Sequence, residues 1–168
     1  MSWRRQSARV LLANIKFEQP LVTGLSVMDD QTQVTLTNLP LDYTLVQNIF
    51  ESAAREDLNV DMISIISNAG LNISFTIVED KQKHMEEALA HLLRDLEGLN
   101  IHYHTGYSKI SIVGVGMKSS SGVAAKFFNA LKGIPVKLVT TSEIKISCLV
   151  DKEYKDKAVK ALTGVFEL

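Results

Sequence analysis

The chain has 168 residues, 46% of them hydrophobic and 22% charged, with a formal net charge of −1. That is a folding composition, long enough for one ordinary domain or two small ones, and it excludes wholesale disorder. The near-neutral balance argues against a nucleic-acid partner held by phosphate contacts, the single cysteine (Cys148) excludes a disulfide framework or a multi-cysteine zinc site, and the longest apolar run is far short of the roughly 20 residues of a membrane span.

Residues 1–19 form a basic segment, with Arg4, Arg5, Arg9 and Lys16 against Glu18. Arg9 interrupts the uncharged stretch a secretory signal needs, so a cytoplasmic location is expected. Val10, Leu11 and Leu12 read as the buried stripe of a linker-helix remnant, and docking on an acidic partner surface is the alternative. Residues 21–27 (LVTGLSV) read as a strand ahead of Asp29-Asp30, and 34–38 (VTLTN) as another, with Val34 and Leu36 alternating with threonines. Residues 44–57 have helical spacing through Leu45, Ile49, Ala53 and Ala54, with Thr44 as cap. Strands follow at 59–66 and 71–78 around the turn residues Asn68-Ala69-Gly70. A helix is expected over 81–99, with Met85, Ala88, Leu89, Leu92 and Leu96 on one face, and a strand over 101–107.

The order then repeats. Residues 109–116 read as a strand, and Ser120 or Ser121 caps a helix bearing Val123, Phe127, Phe128 and Leu131. Strands are expected at 135–141 and 143–150, and the closing helix at 151–166 turns Val159 and Leu162 inward. Ile73-Ser74-Phe75 corresponds to Ile146-Ser147-Cys148, and Val34-Thr35-Leu36 to Ile110-Ser111-Ile112. The expected fold class is α+β: two ferredoxin-like βαββαβ units, each an antiparallel four-stranded sheet with helices on one face. The second copy lacks a closing strand at its C-terminal end, and 21–27 has no other place. The economical division is a first unit at 30–106 inserted in a second made of 20–28 plus 107–168, because orphan strands leave backbone groups unpaired.

The strings VTGLSVMDDQTQVTL, NVDMI, SIVGVGMKSSSGVAAKFFNAL and VTTSEIKISCLVD together resemble the paired ACT domains of aspartokinase, the enzyme that phosphorylates aspartate; the resemblance runs from about Leu21 to Leu168. It implies an allosteric sensor that binds lysine, threonine or both and switches off a kinase domain or catalytic subunit. It also implies a homodimer joined through ACT domains, with feedback inhibition of amino-acid biosynthesis. That kinase domain is N-terminal to this region in the family, so the chain reads as a small subunit or a regulatory fragment. No phosphate-binding loop or nucleophile elbow is present, and no catalytic residue, cofactor or metal is expected.

A free amino acid presents a carboxylate that suits the amides of a helix N-terminus and an ammonium that suits a carboxylate. The loop from Met117 to Gly122 ahead of Val123 supplies the first, with Lys118 as an optional aid, and Glu143 the second. By resemblance, effector contacts fall on Met117, Ser120, Val123, Ala124, Val136, Ser142 and Glu143. Several positions depart from the family pattern. Pro135 stands where many members have Asn, Ser120-Ser121 where they have His-Pro, Leu41-Asp42-Tyr43-Thr44 in place of Asp-Lys-Pro-Gly, and Ile65 in place of a frequent Gln. Asp42 is the remaining polar candidate in the first unit, with Tyr43 as a stacking surface. The competing reading is a structural dimerisation module that binds no effector. His102 and His104 share a strand face without a third metal ligand, and Cys148 in its apolar run reads as a core residue.

Overall fold

The computed structural model describes residues 21–115 and 121–168. Its elements are β1 (Leu21–Leu39), α1 (Tyr43–Arg55), β2 (Asp61–Ser67), β3 (Leu71–Val78), α2 (Gln82–Leu92), β4 (Asn100–Val115), α3 (Ser121–Ala130), β5 (Val136–Thr141), β6 (Lys145–Asp151) and α4 (Lys155–Phe166). Short 3-10 turns at Glu79–Lys81 and Lys152–Tyr154 lead into α2 and α4.

The six strands form one antiparallel sheet in the order β2-β3-β1-β4-β6-β5. Two strand pairs expected as separate elements are continuous here. Residues 21–27 and 34–38 both belong to β1, and 101–107 and 109–115 both belong to β4. Asp29-Asp30, expected to end a strand, instead lies inside β1. Asp30 takes a left-handed φ of 53°, which a short polar side chain tolerates, and the β1–β4 register shifts between Met28 and Gln31. Before this irregularity β1 lies against Lys109–Val115 of β4; beyond it, β1 lies against Asn100–Tyr107.

Each half of the sheet carries its own helices on one face. Val34, Leu36, Phe75 and Ile77 of the strands meet Ile49 of α1 and Met85 and Leu89 of α2 in one core. Ile110, Ile112, Ile146 and Cys148 meet Phe127 of α3 and Ala158 and Leu162 of α4 in the other. Burial pushes the Cys148 thiol up to about 12, so it stays a neutral packing group. Phe128, expected inward, is half-exposed and meets Phe127 edge-on at 5.6 Å. Phe127 points into the core, and Phe128, about 100° further round the helix, is carried to the rim of that face.

Several element ends also differ from expectation: α4 begins at Lys155 rather than 151, after a 3-10 turn, and β6 at Lys145 rather than 143, which leaves Glu143 in the hairpin turn. Asp42 rather than Thr44 caps α1, its carboxylate accepting the Thr44 N–H at 2.9 Å. Helix α2 stops at Leu92 instead of continuing to 99: the Leu93 N–H still reaches the Leu89 carbonyl, and the chain then turns toward Gly98, whose φ is 76°. Leu96 nonetheless packs against the first core from this turn. In the β2–β3 hairpin, Gly70 approaches the end of β1 so closely that a Cβ would sit 2.7 Å from the Leu39 carbonyl oxygen.

The face without helices is also partly buried. Met62 of β2, Tyr107 of β4 and Leu149 of β6 form a third cluster joined by Leu138 of β5. The two outermost strands, β2 and β5, come into contact, so the sheet curls until its edges meet. At the crossing between halves the Asp29 carboxylate accepts the Ser108 hydroxyl at 2.7 Å and the Lys155 ammonium at 2.9 Å. These two donors hold the Asp29 carboxyl below its ordinary value of 3.8. A lowered folded-state value gives stability that is present above the unfolded pKa and is lost as pH falls through the folded one. Denaturant midpoints measured from pH 6 down to about pH 2 should therefore fall less steeply for Asp29→Asn than for the natural chain.

Candidate functional site

One end of the second half collects several of the expected residues. Strand β4 ends there at Val115, paired with Leu21, and the Gly114 N–H donates to the Ile144 carbonyl at 2.8 Å. That bond ties the β5–β6 hairpin tip to the end of β4. The hairpin closes through the Ser142 N–H to the Lys145 carbonyl at 2.8 Å. The Ser142 hydroxyl lies 3.4 Å from the Ile144 N–H and 3.5 Å from the Lys145 carbonyl, so it supports the turn from within. Glu143 is exposed at the tip, flanked by exposed Ile144 and Val115. A carboxylate beside apolar surface at the mouth of a sheet suits a cationic group carried on an alkyl chain.

The segment that leaves β4 here enters α3. Met117 and Ser120, with Lys118, lie outside the described residues. Val123 is buried and Ala124 half-buried, both packed into the second core. Their side chains are thereby committed to packing, while the first turn of α3 carries backbone N–H groups that have no partner within the helix.

Val136 and Asp42 sit elsewhere. Val136 pairs with Val150, whereas Thr141, next to the hairpin tip, pairs with Ile146. The length of β5, about 17 Å at the usual strand rise, separates Val136 from Ser142 and Glu143 within one chain. Asp42 belongs to the other half, where its carboxylate caps α1, and the neighbouring Tyr43 hydroxyl donates to Ser67 at 3.2 Å. Two surface grooves are lined by other residues, although the second adjoins Asp42, whose N–H donates to the Pro40 carbonyl on its wall at 2.7 Å. One runs between α1 and α2 past Arg55, Glu56, His84 and His91, and the other lies beside the β2–β3 hairpin tip past Asn38, Asn68 and Asn72. His102 and His104 stack on each other with ring centroids 6.1 Å apart, and among the described residues no group of three or more metal-ligating side chains gathers.

The sequence reasoning missed a half-buried ion pair. Lys109 of β4 is 8% exposed and pairs with Asp61 of β2, beneath the curl of the sheet. Burial by itself raises the Asp61 carboxyl. The Lys109 hydrogen bond, the Met62 N–H and the charges of Lys109 and Lys145 together outweigh it and hold that carboxyl below its ordinary value. The available signal was Lys109 itself, a lysine in a strand whose alternate residues Ile110 and Ile112 face a core.

Comparison with known proteins defines the class first: the ACT domain profile matches residues 110–166, which run from β4 through α4. The chain is 41% identical over 175 aligned positions to an aspartokinase from Bacillus sp. (strain MGA3), covering 99% of this chain and 42% of that protein. The regulatory subunit of aspartate kinase from Thermus thermophilus superposes with a TM-score of 0.81 at 30% identity, covering 86% of this chain and 98% of the subunit. A structure of aspartokinase alpha and beta subunits matches at a TM-score of 0.79 and 33% identity, covering 88% of this chain and 99% of the matched one. The chain belongs to the aspartokinase family and corresponds to its regulatory region, spanning about two fifths of the length of the curated aspartokinases it matches. Among the described residues no helix is long and apolar enough to cross a membrane.

Because Asp42 is a helix cap, Asp42→Ala should lower stability by about 1 kcal/mol, read from denaturant midpoints, whatever its effect on ligands. Asp42→Ser should recover most of that loss, since serine caps comparably.

Proposed function

We propose that this chain is an amino-acid-sensing module that regulates an aspartate kinase by feedback. Lysine is the preferred effector and threonine the runner-up. The effector's carboxylate binds the amides at the start of α3, and an ammonium binds Glu143 with Ser142 beside it. The observation that carries this reading is the Gly114–Ile144 bond, which sets the Ser142-Glu143 tip next to the strand end that leads into α3. For lysine, the exposed Ile144 and Val115 suit the alkyl stem between its two charged ends.

The module consists of two nested ACT units, 30–106 within 20–28 plus 107–168, and two copies associate through their sheets. The run of strands in each half supports the division: β2-β3-β1-β4 in one and β1-β4-β6-β5 in the other. The separation of Val136 from Glu143 along β5 supports a site completed at a seam between units, where one contributes the β5 start and another the hairpin tip. Effector bound at such a seam favours one arrangement of units over another, and the kinase domain or catalytic subunit reads that difference. One observation favours a structural role for the first unit alone: its remaining polar candidate, Asp42, is engaged in capping α1.

Calorimetry or thermal shift with lysine and threonine tests this directly. A saturable rise in melting temperature with lysine is expected. Glu143→Ala should weaken binding by about tenfold or more without altering the circular dichroism of the free chain, the scale of one charge-assisted contact. A stable dimer that responds to neither amino acid would replace this reading with that of a structural module.

A further inference from the structure

The face of the sheet without helices carries three unusual features in one place. Lys109 is nearly buried, and its ammonium is joined to Asp61, whose side chain is 52% exposed. The two residues belong to strands that are not neighbours, with β3 and β1 lying between β2 and β4. Next to Asp61, Met62 has a left-handed φ of 49°, uncommon for a bulky residue, and its N–H bonds the Asp61 carboxylate at 2.8 Å. Directly across the ladder from Asp61, the Thr76 hydroxyl is buried with no hydrogen-bond partner. Met62 then enters the small cluster with Tyr107, Leu149 and Leu138.

These observations have a direction. A strained backbone at Met62 and an unsatisfied hydroxyl at Thr76 both disfavour the curled arrangement, and both are relieved when the seam opens to water. The ion pair and the small apolar cluster oppose them. Opening need not disturb either helix-covered core, because Val34, Phe75 and Leu89 lie on one side of the sheet and the seam on the other. The crossing strands are also irregular between Met28 and Gln33, which leaves the ladder less stiff where the halves join.

We propose that the Lys109–Asp61 pair is a latch that holds the two halves of the sheet curled on each other, and that releasing it opens the seam while both cores stay folded. The proposal concerns the fold alone and stands apart from effector binding. The pair is asymmetric. Removing Asp61 strands a buried ammonium, whereas removing Lys109 leaves a carboxylate that water already reaches.

Thiol labelling of the whole chain separates the outcomes. Met62→Cys places a reporter in the seam, and the natural Cys148 reports opening of the second core. Adding Asp61→Asn should raise labelling at position 62 on the order of a hundredfold while Cys148 keeps its rate. Lys109→Met added to Met62→Cys instead, which also breaks the pair, should raise labelling at position 62 by a smaller factor, because the carboxylate it leaves behind already meets water. Leu138→Cys serves as the seam reporter if Met62→Cys does not fold. Unchanged labelling in the seam, or equal acceleration at the seam and Cys148, would overturn the latch.

Discussion

The pairing of β1 with β4 is the interaction on which the rest of this molecule depends. Each strand serves two cores. β1 gives Val34 and Leu36 to the first and Val22 and Leu25 to the second; β4 gives Ile101 and Tyr103 to the first and Ile110 and Ile112 to the second. A fully buried Leu or Ile contributes about 1.5–3 kcal/mol, so withdrawing β1 would remove such contributions from the first core and withdrawing β4 from the second, with smaller losses from the partly buried residues each strand gives the other core. It would also expose the edges of β3 and β6, which are paired to β1 and β4. The two halves are therefore bound by shared strands as well as by contact between surfaces.

That arrangement also places the candidate site. The irregularity at Met28–Gln31 divides each long strand into two working lengths, and Asp29 secures the crossing through Ser108 and Lys155. The second length of β4 ends at Val115, with the hairpin tip of Ser142 and Glu143 tied beside it. The site thus sits at the far end of a strand whose other end lies in the first core. A ligand that moved this strand end would act on an element common to both halves, which suits a regulatory region.

Much of this was legible from residue patterns. β3 was read at its observed limits, 71–78, because its alternation and the Asn-Ala-Gly turn leave little freedom. The helices were legible from apolar spacing, but their ends were not. Asp42 and Thr44 are both competent caps, and only the backbone bond distinguishes them. Leu96 keeps helical spacing with Leu92 yet packs from a turn, so periodicity alone overruns the end of α2. The continuity of β1 was hidden because Asp29-Asp30 disfavours strand on propensity, which pairing on both flanks overrides. Ser142 and Glu143 are candidates from the family resemblance, Glu143 also from the needs of an ammonium, but their distance from Val136 depends on the register of β5 against β6. Lys109 and Asp61 are 48 residues apart in sequence and meet only because the sheet curls, which no local pattern encodes.

If β1 and β4 truly bind both halves into one structure, the halves must lose their structure together. Urea unfolding followed by residue-specific amide signals at Phe75 in the first core and Cys148 in the second tests this most directly. The shared-strand account predicts coincident midpoints and slopes for the two probes. A first transition at one residue, completed while the other keeps its native signal, would contradict it.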